Sequence, residues 1–166
     1  KSFALAAAAV LLTTVGRADE LKDLDVQLRE HAPKILELAN AKKAANIGVL
    51  KFMVQIGDGK PTDNAGPLNA NLAERVTVAL VLALEKASIG VIGNANEVLA
   101  KANVVMKHDD AGRARLFRTR GFLLAWGPQR EQITPDLFVS GVATLSDDLK
   151  ITKIKLHAFG KDGKLD

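Results

Sequence analysis

Between residues 47 and 102 the sequence switches twice from the apolar spacing of a β-strand to that of an α-helix, which constrains its fold more than any other feature. The first strand, residues 47–57, is rich in Val, Ile and Phe and ends at a glycine. A polar loop follows over residues 58–69. A second strand, residues 88–92, precedes a helix that ends at Ala102. This alternation predicts a layered α/β domain, a mixed sheet flanked by helices.

The helix after the polar loop has the most regular apolar spacing in the chain. Asn71 and Glu74 have the spacing of a capping box, which predicts that this helix begins at Asn71. Asn94 and Glu97 have the same spacing and predict the start of the next helix. The apolar residues of the first helix recur at intervals of three and four: Leu72, Val76, Ala79, Leu80, Ala83 and Leu84.

The first eighteen residues, KSFALAAAAVLLTTVGRA, are typical of a secretory signal peptide. A lysine precedes the apolar run of residues 3–12, and small residues lead to Ala18. The run is shorter than the roughly 20 residues that a transmembrane helix needs, and no second such run follows. The alternative is a buried N-terminal helix. We expect a periplasmic or secreted protein with a partial signal peptide at residues 1–18 and no transmembrane segment in the mature chain.

Residues 19–45 predict a helical segment ahead of the sheet. Pro33 interrupts its apolar pattern. Proline is tolerated in the first turn of a helix but costs about 3 kcal/mol in the interior. We therefore expect the main helix to span residues 32–44, with a looser stretch before it.

The C-terminal part contains a less regular segment and then two alternating runs. In residues 107–136 we expect one irregular strand, around residues 122–125. The two runs after Pro135 predict a hairpin with its turn at Asp147 and Asp148. In the second run Ile154, Leu156 and Ala158 are predicted to face one way, and Lys153, Lys155 and His157 the other. We expect residues 46–166 to be one domain, cut short at its C-terminal end.

Charge and composition give little support to nucleic-acid binding. The formal net charge is +4, and removal of Lys1 and Arg17 with the signal leaves 21 basic against 19 acidic residues, or +2. Six Phe, one Trp and no Tyr provide few platforms for stacked bases. Because the chain has no cysteine, a disulfide, a thiol nucleophile and a lipid-modified cysteine are all excluded.

We predict no catalytic, cofactor-binding or metal site. The stretch GDGKPT, residues 57–62, lacks the spacing of a phosphate loop and has Pro61 where the hydroxyl should stand. Asp58, Asp63 and Asn64 lack the spacing and the terminal Glu of a calcium loop.

His108, Asp109 and Asp110 form a possible metal or acid–base cluster. They precede Gly112 in a polar stretch, where such residues usually cap a helix or form a turn. We expect that structural role.

The run RARLFRTR brings four arginines close together in sequence. Such charges usually belong to a solvated strand edge, where they discourage aggregation, but they can also bind an anionic lipid, glycan or nucleic acid. We take them as the candidate partner or anion surface: Arg113, Arg115, Arg118 and Arg120.

The order of these stretches resembles the N-terminal domain shared by TolB, the curli channel CsgG, the penicillin-binding-protein activator LpoB and the flagellar protein FlgO. The similar stretches, within about residues 45–160, are residues 47–52, 72–80, 89–99 and 136–146. The resemblance implies a sheet flanked by helices that acts in the cell envelope as an assembly or docking module, without catalysis. The chain lacks the lipidated cysteine of CsgG and LpoB, and residues 107–135 match no motif of that family. In character it is most similar to exported proteins of planctomycete type.

Three functions follow from the sequence. The first is an exported, non-catalytic interaction module that binds an envelope protein or a second copy of itself through strand edges or the arginine surface. The second is a ligand-sensing or regulatory domain of a longer exported protein. The third is a hydrolytic enzyme, which requires polar residues of the loops at residues 58–71 and 107–136 to converge in one pocket.

Overall fold

Helices lie on both faces of one mixed β-sheet, as the computed structural model of the protein shows. The structure describes residues 11–13, 20–84, 88–104, 108–128 and 132–165. The predicted α/β class and the mixed sheet flanked by helices are confirmed.

Seven strands and four helices make up the described part of the chain. The strands are β1 Leu11–Thr13, β2 Asn46–Val49, β3 Met53–Ile56, β4 Gly90–Ile92, β5 Leu124–Trp126, β6 Leu137–Leu145 and β7 Ile151–Phe159. The helices are α1 Glu20–Ala41, α2 Pro67–Ala83, α3 Ala95–Lys101 and α4 Asp110–Leu116. The strand order is β1-β7-β6-β2-β4-β5, and β3 also pairs with β6. β2 is parallel to β4 and β6, and β3 is parallel to β6, whereas the β1–β7, β6–β7 and β4–β5 pairs are antiparallel.

The strand predicted at residues 47–57 is divided into β2 and β3, which pair with successive parts of β6. At the division the Ser140 hydroxyl donates to the carbonyl of Lys51. The Phe52 ring packs beside Gly141, where an added Cβ would lie 2.6 Å from a ring carbon. The interruption therefore makes room for the fully buried Phe52 side chain.

Helix α1 is continuous and contains Pro33, so the prediction of a helix confined to residues 32–44 is wrong. Pro33 is exposed, and the carbonyl that it leaves without an amide partner can be hydrated. The opposite side of α1 packs in the core below α2, and this burial offsets the cost of the proline. Its buried residues are Leu24, Leu28, Ala32, Ile35, Leu36 and Ala39.

Helix α2 begins at Pro67, one turn before the predicted start at Asn71. Proline suits the first position of a helix because its missing N–H would have no helical partner there. The buried Asn69 holds the preceding loop: its side chain donates to the carbonyl of Phe52 at 2.6 Å and accepts from the amide of Ala65 at 2.7 Å. The asparagine that organises this helix start is therefore Asn69.

Asn94 precedes α3 as predicted, but its side chain makes no cap hydrogen bond. It instead accepts from the amide of Leu123 at 2.7 Å and donates to the carbonyl of Gly121 at 3.3 Å. These bonds fix the stretch before β5, close to the strand predicted at residues 122–125. Helix α4 was not predicted. Asp109 caps it by accepting from the amide of Gly112 at 2.6 Å, as expected for a residue of that polar stretch.

The β6–β7 hairpin and its turn at Asp147 and Asp148 are confirmed. On β7, Ile154, Leu156 and Ala158 are buried in the core formed with α1 and α2. Lys153, Lys155 and His157 are half-buried and alternate with them, as predicted.

A second core lies on the other face of the sheet, beneath α3 and α4. Aromatic rings dominate it: the ring centres of Phe117 and Phe138 are 4.8 Å apart, and those of Phe138 and Phe159 are 5.9 Å apart. This core covers β4, the start of β6 and the end of β7 through Ile92, Phe138 and Phe159. The middle of β6 and of β7 contributes no residue to it.

Of the predicted signal segment, the structure describes Leu11–Thr13, which pairs with residues 153–155 of β7. The remainder of residues 1–18 lies outside the described residues. None of the helices in the described part of the chain is long and apolar enough to cross a bilayer.

Candidate functional site

The four arginines predicted as one surface are divided between the interior and the exterior. Arg113 is 8% exposed, so it does not belong to a partner surface, which corrects the prediction for this residue. Arg115, Arg118 and Arg120 are exposed. None of these three has an ion-pair partner among the described residues.

Arg113 links α4 to the C-terminal tail. Its guanidinium donates to the carbonyls of Gly163 and His108 and pairs with the carboxylate of Asp110. Beyond Gly163, Leu165 forms an isolated antiparallel bridge with Phe159, the last residue of β7. The arginine therefore fixes the tail beside the end of the β6–β7 hairpin.

A small depression lies where this tail and α4 meet the sheet, on the face opposite α1 and α2. Its volume is about 130 Å³. Its polar lining consists of His108, Arg113, Ser140 and His157. Its apolar lining includes Met53, Val142, Phe159 and Leu165.

His157 lies opposite Ser140 in the antiparallel β6–β7 register. Burial lowers the pKa of His157, and the positive charges of Lys155 and Arg113 lower it further. The Ser140 hydroxyl donates to the Lys51 carbonyl at 2.9 Å, and the structure has no hydrogen bond between Ser140 and His157. A nucleophilic serine requires a base within hydrogen-bonding reach, so this pair is not arranged for acyl transfer.

The half-buried residues beside the depression form a surface that we call the basic face. It consists of Met53 and Gln55 of β3, Val142 and Thr144 of β6, and Lys153, Lys155 and His157 of β7. Two lysines and a histidine lie on it, and no carboxylate does. Neither lysine has an ion-pair partner among the described residues. The basic face is therefore positive. Its apolar strip consists of Met53 and Val142, which are followed by the polar pair Gln55 and Thr144.

A larger groove of about 390 Å³ lies between α1 and α2, on the opposite side of the molecule. Asp25 and Arg75 lie across it and pair with each other at 2.7 Å. Val78 and Leu82 provide exposed apolar surface. Arg29 and Glu74 also line the groove, so its positive and negative charges balance and it has no comparable electrostatic preference for a ligand.

Neither the groove nor the depression contains residues of both loops, 58–71 and 107–136. The groove includes Asn71 from the first loop and no residue of the second, whereas the depression includes His108 and Arg113 from the second and none of the first. The meeting of polar residues from both loops that a hydrolytic enzyme requires is thus absent from the groove and from the depression. Within the described residues no group of three His, Asp or Glu side chains is placed to hold a metal ion.

Sequence reasoning predicted the alternation that places Lys153, Lys155 and His157 on one face, but it did not identify them as a site. The signal was present, since three basic or titratable residues occupy every second position of one strand. The contribution of His108 had no comparable signal, because only the folded chain brings it to β7.

Comparison of the chain with protein-family models, with curated proteins and with solved structures finds no match to any of them.

Proposed function

We propose that the protein is an exported, non-catalytic interaction module that docks an acidic surface of another cell-envelope protein during envelope assembly. The observation that carries this proposal is the basic face. It combines unpaired lysines with half-buried apolar side chains, whereas the other face of the sheet is covered by α1 and α2.

The charge of the basic face favours an acidic partner. Lys153 and Lys155 lie two residues apart on the same side of β7, so their Cα atoms are about 7 Å apart. Their aliphatic stems are half-buried while their ammonium groups have no carboxylate partner among the described residues. A carboxylate supplied by a partner would reduce the repulsion between them and fix the orientation of docking.

The apolar strip provides the other component of a protein interface. Met53 and Val142 are neighbours in the β3–β6 register and are both half-buried. Methionine adapts its shape to a partner surface, which is why it is frequent at binding surfaces. The two lysines flank this apolar strip on the β7 side, and polar residues beside an apolar centre are usual in a protein–protein contact.

The envelope location rests on the sequence. The apolar start at residues 1–18 favours export to the periplasm or beyond, and the resemblance to the TolB, CsgG, LpoB and FlgO domain favours assembly or docking as the task. A ligand-sensing domain is the second candidate, and the depression beside the basic face is the observation that favours it.

A capture experiment with matched charge reversals tests the docking proposal. Immobilised protein is incubated with an envelope extract, and the bound proteins are compared for the wild type, K153E/K155E and K60E/K101E. Both control residues are exposed, and neither belongs to the basic face. We expect one acidic envelope protein to be retained by the wild type and the control and lost from K153E/K155E. Equal retention by all three proteins would refute docking through this face.

Self-association is measured on the same proteins by light scattering. A wild-type dimer that K153E/K155E converts to a monomer would make a second copy of the chain the partner, against the proposal of an envelope protein. A monomer in all three cases agrees with the proposal.

A further inference from the structure

We propose that the depression between α4, the β6–β7 hairpin and the C-terminal tail is a binding site for a small monocarboxylic acid with a short apolar chain. The site shares Met53, Val142 and His157 with the basic face. It goes beyond docking because it also uses Arg113 and needs no partner protein.

The size of the depression limits the ligand to a few atoms. Its volume of about 130 Å³ is close to that of an engineered cavity of about 150 Å³ that binds benzene, so it holds roughly six non-hydrogen atoms. A whole nucleotide, a sugar chain or a peptide segment exceeds this volume. A carboxyl group on a short branched chain has the right size.

The apolar lining explains why the ligand needs a hydrocarbon part. Val142 and Leu165 border the depression on two sides, and the Phe159 ring lies against its arginine end. These side chains have no polar group to replace the hydration shell of a purely polar ion such as phosphate. A branched alkyl group in contact with them gains the usual stabilisation of buried apolar area.

Arg113 supplies hydrogen-bond donors for the carboxylate. A guanidinium has five N–H groups, and Arg113 uses three of them, on Gly163, His108 and Asp110. One N–H remains on each terminal nitrogen, and the planar fork of arginine suits a carboxylate. Because these internal bonds hold the guanidinium in place, little side-chain entropy is lost when a ligand binds.

The charges around the depression favour an anion. The positive charges are those of Arg113 on α4 and of Lys155 on β7, next to the lining residue His157. His157 and His108 contribute polar groups to the lining. Among the described residues, the carboxylate that pairs with Arg113 is that of Asp110, whose side chain is 62% exposed. Burial lowers the pKa of His157, as do the charges of Lys155 and Arg113, and the charge of a bound carboxylate would raise it.

Isobutyrate, isobutyramide and inorganic phosphate serve as probes, and the chemical shifts of His157 and Val142 in the full chain serve as the readout. We expect isobutyrate to shift both residues saturably and to raise the pKa of His157. Isobutyramide has the same shape without the charge, so it should bind at least about tenfold more weakly. No saturable shift with isobutyrate, equal binding of the amide, or tighter binding of phosphate would each overturn the proposal.

Two variants test the position of the site. Val142→Phe fills the depression from a half-exposed position and should abolish isobutyrate binding, whereas Val78→Phe on the exposed side of α2 should leave it unchanged. If Val142→Phe fails to fold, His157→Gln replaces it and should weaken binding about tenfold. Unchanged affinity in the variant used would place the ligand elsewhere. The proposed docking is tested without ligand, so the two proposals can fail separately.

Discussion

The guanidinium carbon of Arg113 lies 5.7 Å from the centre of the Phe159 ring. The contact joins α4 to the last residue of β7, and the hydrogen bond from Arg113 to Gly163 adds the C-terminal tail to the same unit. A residue that the sequence suggested for an outer surface thus holds together three segments that line the depression.

Replacement of this arginine should destabilise the fold. Arg113→Ala leaves the carbonyls of Gly163 and His108 without their donor and removes a cation–π contact. We expect the free energy of unfolding to fall by roughly 2–4 kcal/mol in a urea titration. Arg115→Ala, on the exposed side of the same helix, should change it by about 0.5 kcal/mol or less. Similar losses in both variants would contradict the structural role of Arg113.

Gly141 should tolerate no side chain. An added Cβ would collide with the carbonyl of Lys155 and lie 2.6 Å from the Phe52 ring, and neither neighbour can move without disturbing the sheet. We expect Gly141→Ala to lower the free energy of unfolding by about 3 kcal/mol or more.

The matched control for this substitution is Gly160→Ala, where the nearest atoms lie 3.8 and 4.0 Å from the added Cβ. Its unfolding midpoint should stay close to that of the wild type. A midpoint for Gly141→Ala equal to that of the control would show that the division between β2 and β3 does not depend on this glycine.

Asp136 fixes the start of the parallel β2–β6 pair. Its carboxylate accepts from the amides of Ala45 and Asn46 at 3.1 and 3.2 Å and pairs with Lys161 at 2.9 Å. Removal of the carboxylate in Asp136→Ala should cost about 1–3 kcal/mol of thermal or urea stability. Asp58→Ala, in the exposed loop, is the control and should cost nothing measurable. Equal stability of the two variants would rule out this role.

Stability should decrease in mild acid because of two histidines. Burial lowers the pKa of His31, with a smaller contribution from Lys34, and burial followed by Lys155 and Arg113 lowers that of His157. The pKa of a histidine in the unfolded chain is about 6.5, so as pH falls below that value the unfolded chain binds more protons than the folded chain. The free energy of unfolding therefore rises with pH up to about 6.5 and falls as pH falls below it.

Urea titrations at about pH 7.5 and about pH 5.5 measure this effect, since the ordinary histidine titrates between them. His31→Gln and His157→Gln should each reduce the difference between the two conditions. His108→Gln is the control, because His108 is exposed. A wild type equally stable at both pH values would refute the assignment.

The sequence predicted correctly the features that depend on a single strand. Alternation along β7 predicted its two faces, because successive side chains of a strand point to opposite sides of a sheet. The start of α2 was predicted one turn too late. Asn71 and Glu74 have the spacing of a capping box, but the helix begins at Pro67 and the buried Asn69 binds the preceding loop. This error concerns the end of one helix and not the existence of that helix.

The site was harder to predict because it depends on contacts between distant parts of the chain. Arg113 and Gly163 are 50 residues apart in sequence. Nothing in the local sequence distinguishes the buried Arg113 from the exposed arginines of the same run. The same holds for the pairing of His157 with Ser140, which only the register of the hairpin determines. Local pattern therefore predicted the sheet and its faces, but not the depression beside them.

The most direct test of docking through the basic face is photo-crosslinking from two matched positions. A photoreactive amino acid replaces Val142, on the basic face, or Val78, on the exposed side of α2. The account predicts a crosslink to one acidic envelope protein from position 142 and none to that protein from position 78. A crosslink from position 78 alone would contradict it and move the interface to the helical side of the molecule.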